Sequence, residues 1–66
     1  MDYKINFMNS LKILKTLKES QEETLKPLEA IDESQLSASL RIEKAGLRRS
    51  IETLNTAIRL IEKLEE

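Results

Sequence analysis

The sequence predicts an all-α fold: an antiparallel two-helix hairpin, a single domain over 1–66, that associates into a helical bundle. Three observations lead there. The chain has one Gly, one Pro and no Cys, and Tyr3 and Phe7 are its aromatics in an apolar set made mostly of Leu and Ile. Leu, Lys and Glu favour helices, whereas Gly and Pro oppose helix interiors. Second, the apolar residues recur at steps of three and four, the rhythm of one helix face. Third, a chain of 66 residues buries only about 60% of its unfolded surface and is marginal without a staple. With neither Cys nor His, a disulfide is excluded and the usual zinc ligands are missing. Association is the aid that remains.

The first helix is predicted over about residues 4–25. Around Leu14, the residues Phe7, Leu11, Leu17, Gln21, Leu25 and Leu28 fall within roughly ±60° on a helix advancing ~100° per residue. This is one narrow stripe, interrupted by Lys18 and Gln21 and flanked by Met8 and Ile13. Pro27 disfavours helical geometry at Lys26 and removes a backbone donor. A connection over about 26–32 is therefore expected, with room for one helical turn in PLEAI.

The second helix is predicted over about 33–64. Asp32 is placed to cap it, and Gln35, three residues on, to reach back to the capping amide. Gly46 admits two readings. As a left-handed cap, it would end the helix and let Ser50 start another, giving a three-helix bundle broken at Gly46. Against this, Leu36, Leu40, Leu47, Ile51, Leu54, Ile58 and Ile61 keep one phase across Gly46. A loop has no reason to preserve that phase, so the continuous helix is favoured, about 48 Å long at ~1.5 Å per residue.

Ile42, Leu60 and Leu64 form a second apolar edge on this helix, away from the main seam. A line of small residues runs between the two: Ser39, Gly46, Ser50, Thr53 and Ala57. The polar face holds Arg41, Lys44, Arg48, Glu52, Asn55, Arg59 and Glu62. The apolar arc covers about half the circumference, more than one narrow helix covers. Ile42, Leu60, Leu64, Ala57 and Gly46 are thus candidate partner-binding residues. The partner is another helical protein or a second copy.

The net charge of −1 is blocky, running +3, −5, +3 and −2 over residues 1–18, 19–33, 34–50 and 51–66. A hairpin turning near residue 29 would set Lys12, Lys15 and Lys18 close to Arg48, Lys44 and Arg41. In that belt Lys12, Lys15, Arg41, Lys44 and Arg48 are candidates for electrostatic docking on an acidic protein surface. The alternative is a small nucleic-acid-associated regulator using the belt for phosphates. The acidic balance and the lack of an aromatic near the belt to stack on bases argue against it.

No enzyme and no cofactor are expected. General acid–base and nucleophilic chemistry usually need a His or an activated Cys, and a phosphate loop needs several glycines. Glu19, Glu22 and Glu23 sit at helical spacing and could share a divalent ion, although a solvated face is the plainer reading. No apolar run nears the ~20 residues that insert into a membrane. MDYKINF lacks the apolar core of a signal peptide, so a cytoplasmic location is expected.

The run LRRSIETLNTAIRLIEKL, with Leu54, Ala57, Ile58 and Ile61 in its repeat, resembles the second helix of one family. It is similar to the small E-component co-chaperones of type III secretion needle subunits. The resemblance implies a cytoplasmic helical hairpin. It also implies two partners, a tetratricopeptide-like chaperone and, through it, a needle subunit kept from polymerising. It assigns no individual functional residue.

Overall fold

The computed structural model describes residues 3–65, with side chains over 8–64. Helix α1 spans Tyr3–Ala30, helix α2 spans Ala38–Glu65, and a 3-10 turn, Glu33–Gln35, lies between them. The architecture is the predicted all-α hairpin. Each helix of 28 residues is about 42 Å long at ~1.5 Å per residue. The molecule is 52 Å long, so the helices are offset along their common axis. Two ion pairs between them fix the register: Lys15 to Glu62 at 3.4 Å and Glu29 to Arg48 at 3.2 Å. Counting up α1 and back down α2 from either pair, Thr24 is level with Thr53, Leu17 with Leu60 and Ile13 with Leu64. The same count sets Ala30 beside Leu47. The first turns of α2 therefore run past the end of α1, and the connection climbs over them.

The seam between the helices keeps alternating steps of three and four. In α1 it holds Leu11, Leu14, Lys18, Gln21, Leu25 and Leu28; in α2 it holds Lys44, Leu47, Ile51, Leu54, Ile58 and Ile61. All twelve are buried or half-buried. This is the heptad rhythm, which keeps a narrow stripe of each helix on its partner. Leu25, Leu54 and Ile58 are its buried apolar members, and Leu36 joins the core from the connection. The expected seam residue Phe7 has a side chain outside the described residues. Leu17, expected inside the stripe, stands 45% exposed on its margin.

Both helix boundaries near the turn differ from those predicted. Helix α1 continues through Pro27 to Ala30 rather than ending near residue 25. Proline costs about 3 kcal/mol in a helix interior, but Leu25 and Leu28, on either side of it, are held against α2. Asp32 does act as a cap, though of the 3-10 turn: its Oδ1 accepts from the Ser34 amide at 3.3 Å and its carbonyl from the Gln35 amide at 2.8 Å. Helix α2 starts later than expected, at Ala38. Ser37 caps it, with Oγ accepting from the Leu40 amide at 3.2 Å and the carbonyl from the Arg41 amide at 3.0 Å. Leu36 is consequently extended rather than helical, at φ −79° and ψ 138°, yet still buried.

Gly46 lies inside α2 without a positive φ, so the three-helix alternative is overturned. A Cβ built there meets nothing within 4 Å. Gly46→Ala should therefore stabilise the hairpin by up to about 1 kcal/mol. Thermal melts in dilute solution should show a rise of about 4–8 °C at the full effect; a fall would mean that the helix needs the glycine. Gln21 supplies a second prediction. It occupies a seam position, and its buried Oε1 has no hydrogen-bond partner among the described residues. An unsatisfied buried acceptor costs about 1–3 kcal/mol. Gln21→Leu should raise the denaturant midpoint with an unchanged slope, and a lower midpoint would show that the amide is satisfied in solution.

Candidate interaction face

The register divides the outside of the hairpin into two unlike faces. On one side of the seam stand Lys15, Glu22 and Glu29 of α1 opposite Glu62, Asn55 and Arg48 of α2. The two cross-helix ion pairs lie there, and Lys18 and Glu22 add a pair within α1 at 4.0 Å. This face binds the hairpin to itself.

The opposite face is built from Ile13, Leu17, Ser20 and Thr24 of α1 with Gly46, Ser50, Thr53, Ala57, Leu60 and Leu64 of α2. Among the described residues at these positions and one heptad beyond, only Glu43 is charged, in a chain that is 35% Asp, Glu, Lys and Arg. Ile13 is 65% exposed, Leu60 59% and Leu64 68%. A shallow groove is lined by Lys12, Ile13, Thr16, Leu17 and Ser20, so one lysine flanks the uncharged positions. The threonine hydroxyls turn inward: Thr24 Oγ1 donates to the Ser20 carbonyl at 3.1 Å and Thr53 Oγ1 to the Arg49 carbonyl at 3.0 Å. Their donors are met by their own helix, which leaves the face with little need of water. Exposed apolar area gathered on one side marks a contact surface, whereas scattered apolar residues do not.

The structure places the sequence-predicted partner residues as follows. Leu60 and Leu64 stand out on this face, Gly46 forms an open notch in it, and Ala57 is half-buried between face and seam. Ile42, 74% exposed, lies further round the outer shoulder of α2, beyond the end of α1. Sequence reasoning missed the contribution of α1. Ile13 and Leu17 come level with Leu64 and Leu60, so the surface belongs to both helices. The signal was present as the uncharged line Ile13, Leu17, Ser20, Thr24, running beside the stripe at helical steps.

The expected positive belt is not assembled. Lys15 faces Glu62, Arg48 faces Glu29, and Lys44 reaches Glu33 at 3.1 Å. Arg41 Nε donates to the Glu33 carbonyl at 3.1 Å, and Lys12 is exposed. The cause is the turn, which falls over residues 31–37 rather than near 29. The resulting offset sets the lysines of α1 against the acidic end of α2 instead of against its arginines. Lys44 departs furthest from expectation. Read from sequence as part of the polar face, it occupies a seam position and is 5% exposed. It lies where α2 has outrun α1, and the connection brings Glu33 over it as an acceptor. Glu19, Glu22 and Glu23 do not converge: among the described residues no group of three or more acidic, His or Cys side chains could hold a metal ion.

The Lys44 hydrogen bond and charge hold the Glu33 carboxyl below its ordinary range, with Arg48 and Arg41 adding to the effect. Because the folded pKa is lowered, the pair stabilises above the unfolded value, about 4.3 for Glu. That contribution is lost as pH falls through the lowered pKa. Wild type should melt higher than Glu33→Gln near neutral pH, and the gap should close in acid. A gap independent of pH would mean that the carboxylate charge contributes nothing.

Among the described residues no helix is long and apolar enough to cross a membrane. No protein-family model, curated protein or solved structure matches the chain.

Proposed function

We propose that the chain is a non-enzymatic protein–protein interaction module that presents its uncharged face to another helical surface. One observation carries this reading: the hairpin keeps its cross-helix ion pairs on one side and leaves Ile13, Leu17, Leu60 and Leu64 together on the other. The seam runs unbroken without the outward residues Ile13, Leu60 and Leu64, which stay largely exposed on that surface. A helix face laid against another is a common recognition mode, with anchors at steps of three and four. Uncharged small residues beside Leu and Ile let two helices approach closely. The role of a small cytoplasmic co-chaperone, of the kind that accompanies type III secretion needle subunits, is one form such a module takes. The hairpin architecture and the Leu54, Ala57, Ile58, Ile61 rhythm support it. The cation belt that a nucleic-acid regulator would use has no counterpart in the ion pairing seen.

Substitutions on the two surfaces of α2 test the proposal. Leu60→Glu combined with Ile42→Glu should leave the far-ultraviolet circular dichroism of the hairpin unchanged. Ile58→Glu should abolish most of it, because an unpaired charge in the buried seam costs several kcal/mol. Equal loss of helicity in both would show that the outer residues serve the hairpin's own core, and would sink the separate binding face whatever its partner.

A further inference from the structure

We infer that the occupant of this face is a second copy of the same chain, related by a two-fold axis that passes between the copies at Thr24 and Thr53. The inference rests on the interaction-module reading and names its partner.

Area is the first argument. The chain exposes 5310 Å², against about 4,300 Å² expected for a compact monomer of its 7.6 kDa mass. A rod 52 Å long and 16 Å wide exposes more than a compact monomer in any case. The excess of roughly 1,000 Å² leaves room for the ~800 Å² that each partner buries in an interface of standard size. Charge is the second. Across a two-fold axis every residue near the axis meets its own kind, so a charge there would face a like charge. A surface cleared of both signs suits self-contact, whereas docking on a charged partner would not require it.

Shape is the third argument, and it selects the arrangement. The bulky residues Ile13, Leu17, Leu60 and Leu64 occupy the half of the face near the chain ends. The small residues Ser20, Thr24, Gly46, Ser50 and Thr53 occupy the half towards the turn. An axis across the hairpin at Thr24 and Thr53 runs the copies antiparallel, α1 on α1 and α2 on α2. It lays Leu60 of each copy on Gly46 of the other, while Leu17 comes level with Ile31 and Leu64 with Ile42. One heptad either side of Thr53 are Leu60 and Gly46, so each leucine meets the open notch of the second copy. One heptad either side of Thr24 are Leu17 and Ile31. Glu43, the lone charge on the face, comes level with Lys63 of the second copy. Glu23 on the outer shoulder of α1 approaches its own copy, an exposed repulsion of little weight. The other face-to-face arrangement, with the axis along the hairpin and α1 on α2, would stack bulky on bulky and leave voids around Gly46. Interiors do not tolerate such voids.

Single-cysteine variants test this directly, because the chain has no cysteine of its own. Facing positions on close-packed helices come within the Cα separation of about 4.4–6.8 Å that a disulfide needs. Under mild oxidation Thr53→Cys should form a covalent dimer at least about tenfold faster than Glu52→Cys, which points away from the face. Sedimentation of the unmodified chain should show a monomer–dimer equilibrium, weakened at least about tenfold by Leu60→Glu. Cross-linking that appears only when Thr24→Cys is mixed with Thr53→Cys would overturn the arrangement, since it requires α1 on α2. A monomer at all concentrations would overturn self-association. If Leu60→Glu with Ile42→Glu then keeps full helicity, the face itself survives as a site for a different protein. Loss of that helicity at a dilution where the unmodified chain is monomeric and still helical would instead defeat the interaction reading.

Discussion

A molecule of two helices has one internal interface, and every other feature of this chain follows from that constraint. Each helix can bury a single stripe, about a third of its circumference, against its neighbour. The stripe must return every seven residues to stay in contact over so many turns, which imposes the alternating steps of three and four seen in both helices. Among the described residues only Leu25, Leu36, Leu54 and Ile58 are buried apolar residues. A core this thin leaves little apolar stabilisation to set against the entropy of ordering the chain. Any further apolar surface stays exposed unless a second molecule covers it.

A thin, repetitive seam raises a second problem, because a slide by one heptad would also match Leu to Leu. Polar and charged groups resolve it. Lys15 with Glu62 and Glu29 with Arg48 are exposed pairs, each worth little as stability. They discriminate against a slide that would set Glu22 opposite Glu62. A slide the other way would set Glu22 opposite Arg48 and Glu29 opposite Arg41, so the turn has to exclude that one. Lys44 acts at the turn in the same sense. It is buried at a seam position with Glu33 as its acceptor, and that carboxylate reaches it only with the connection folded over the first turns of α2. A buried polar residue at a single core position is a known device for fixing register at some cost in stability.

Periodicity is the part of this structure that sequence states most directly. The continuity of α2 through Gly46 could be read because Leu47 and Ile51 keep the phase set by Leu40, and periodicity outlasts a single unfavourable residue. Pro27 misled for the converse reason. Its local penalty is real, but Leu25 and Leu28 anchor the turn around it, and tertiary contact overrode local preference. The later start of α2 was unreadable from spacing, since Leu36 is buried in either conformation and its position in the pattern is the same. The axial offset depends on the length and path of residues 31–37, which no helical wheel contains. Without the offset, the lysines of α1 were matched with the wrong block of α2, and Lys44 was placed on the wrong side. The edge of Leu60 and Leu64 was legible because one helix carried it. The share of Ile13 and Leu17 was not, because it depends on which residues of α1 stand beside them.

Stability and binding are therefore hard to separate in this molecule. A ligand that binds the folded state alone stabilises it by mass action, and burial of the uncharged face under the proposed partner would do this for the hairpin. With about 25 cal/mol gained per Å² of apolar surface removed from water, even a few hundred Å² contributes gross energy comparable to the whole stability of a small domain. Only part survives the loss of translational freedom on association. What remains would act on the same two helices, so a partner on this face would add to the stability of a hairpin whose own seam is thin. Keeping the cross-helix ion pairs on one side serves both ends at once. The ion-paired side keeps the helices in register and in water, and the opposite side is left free of the charges whose desolvation would oppose contact.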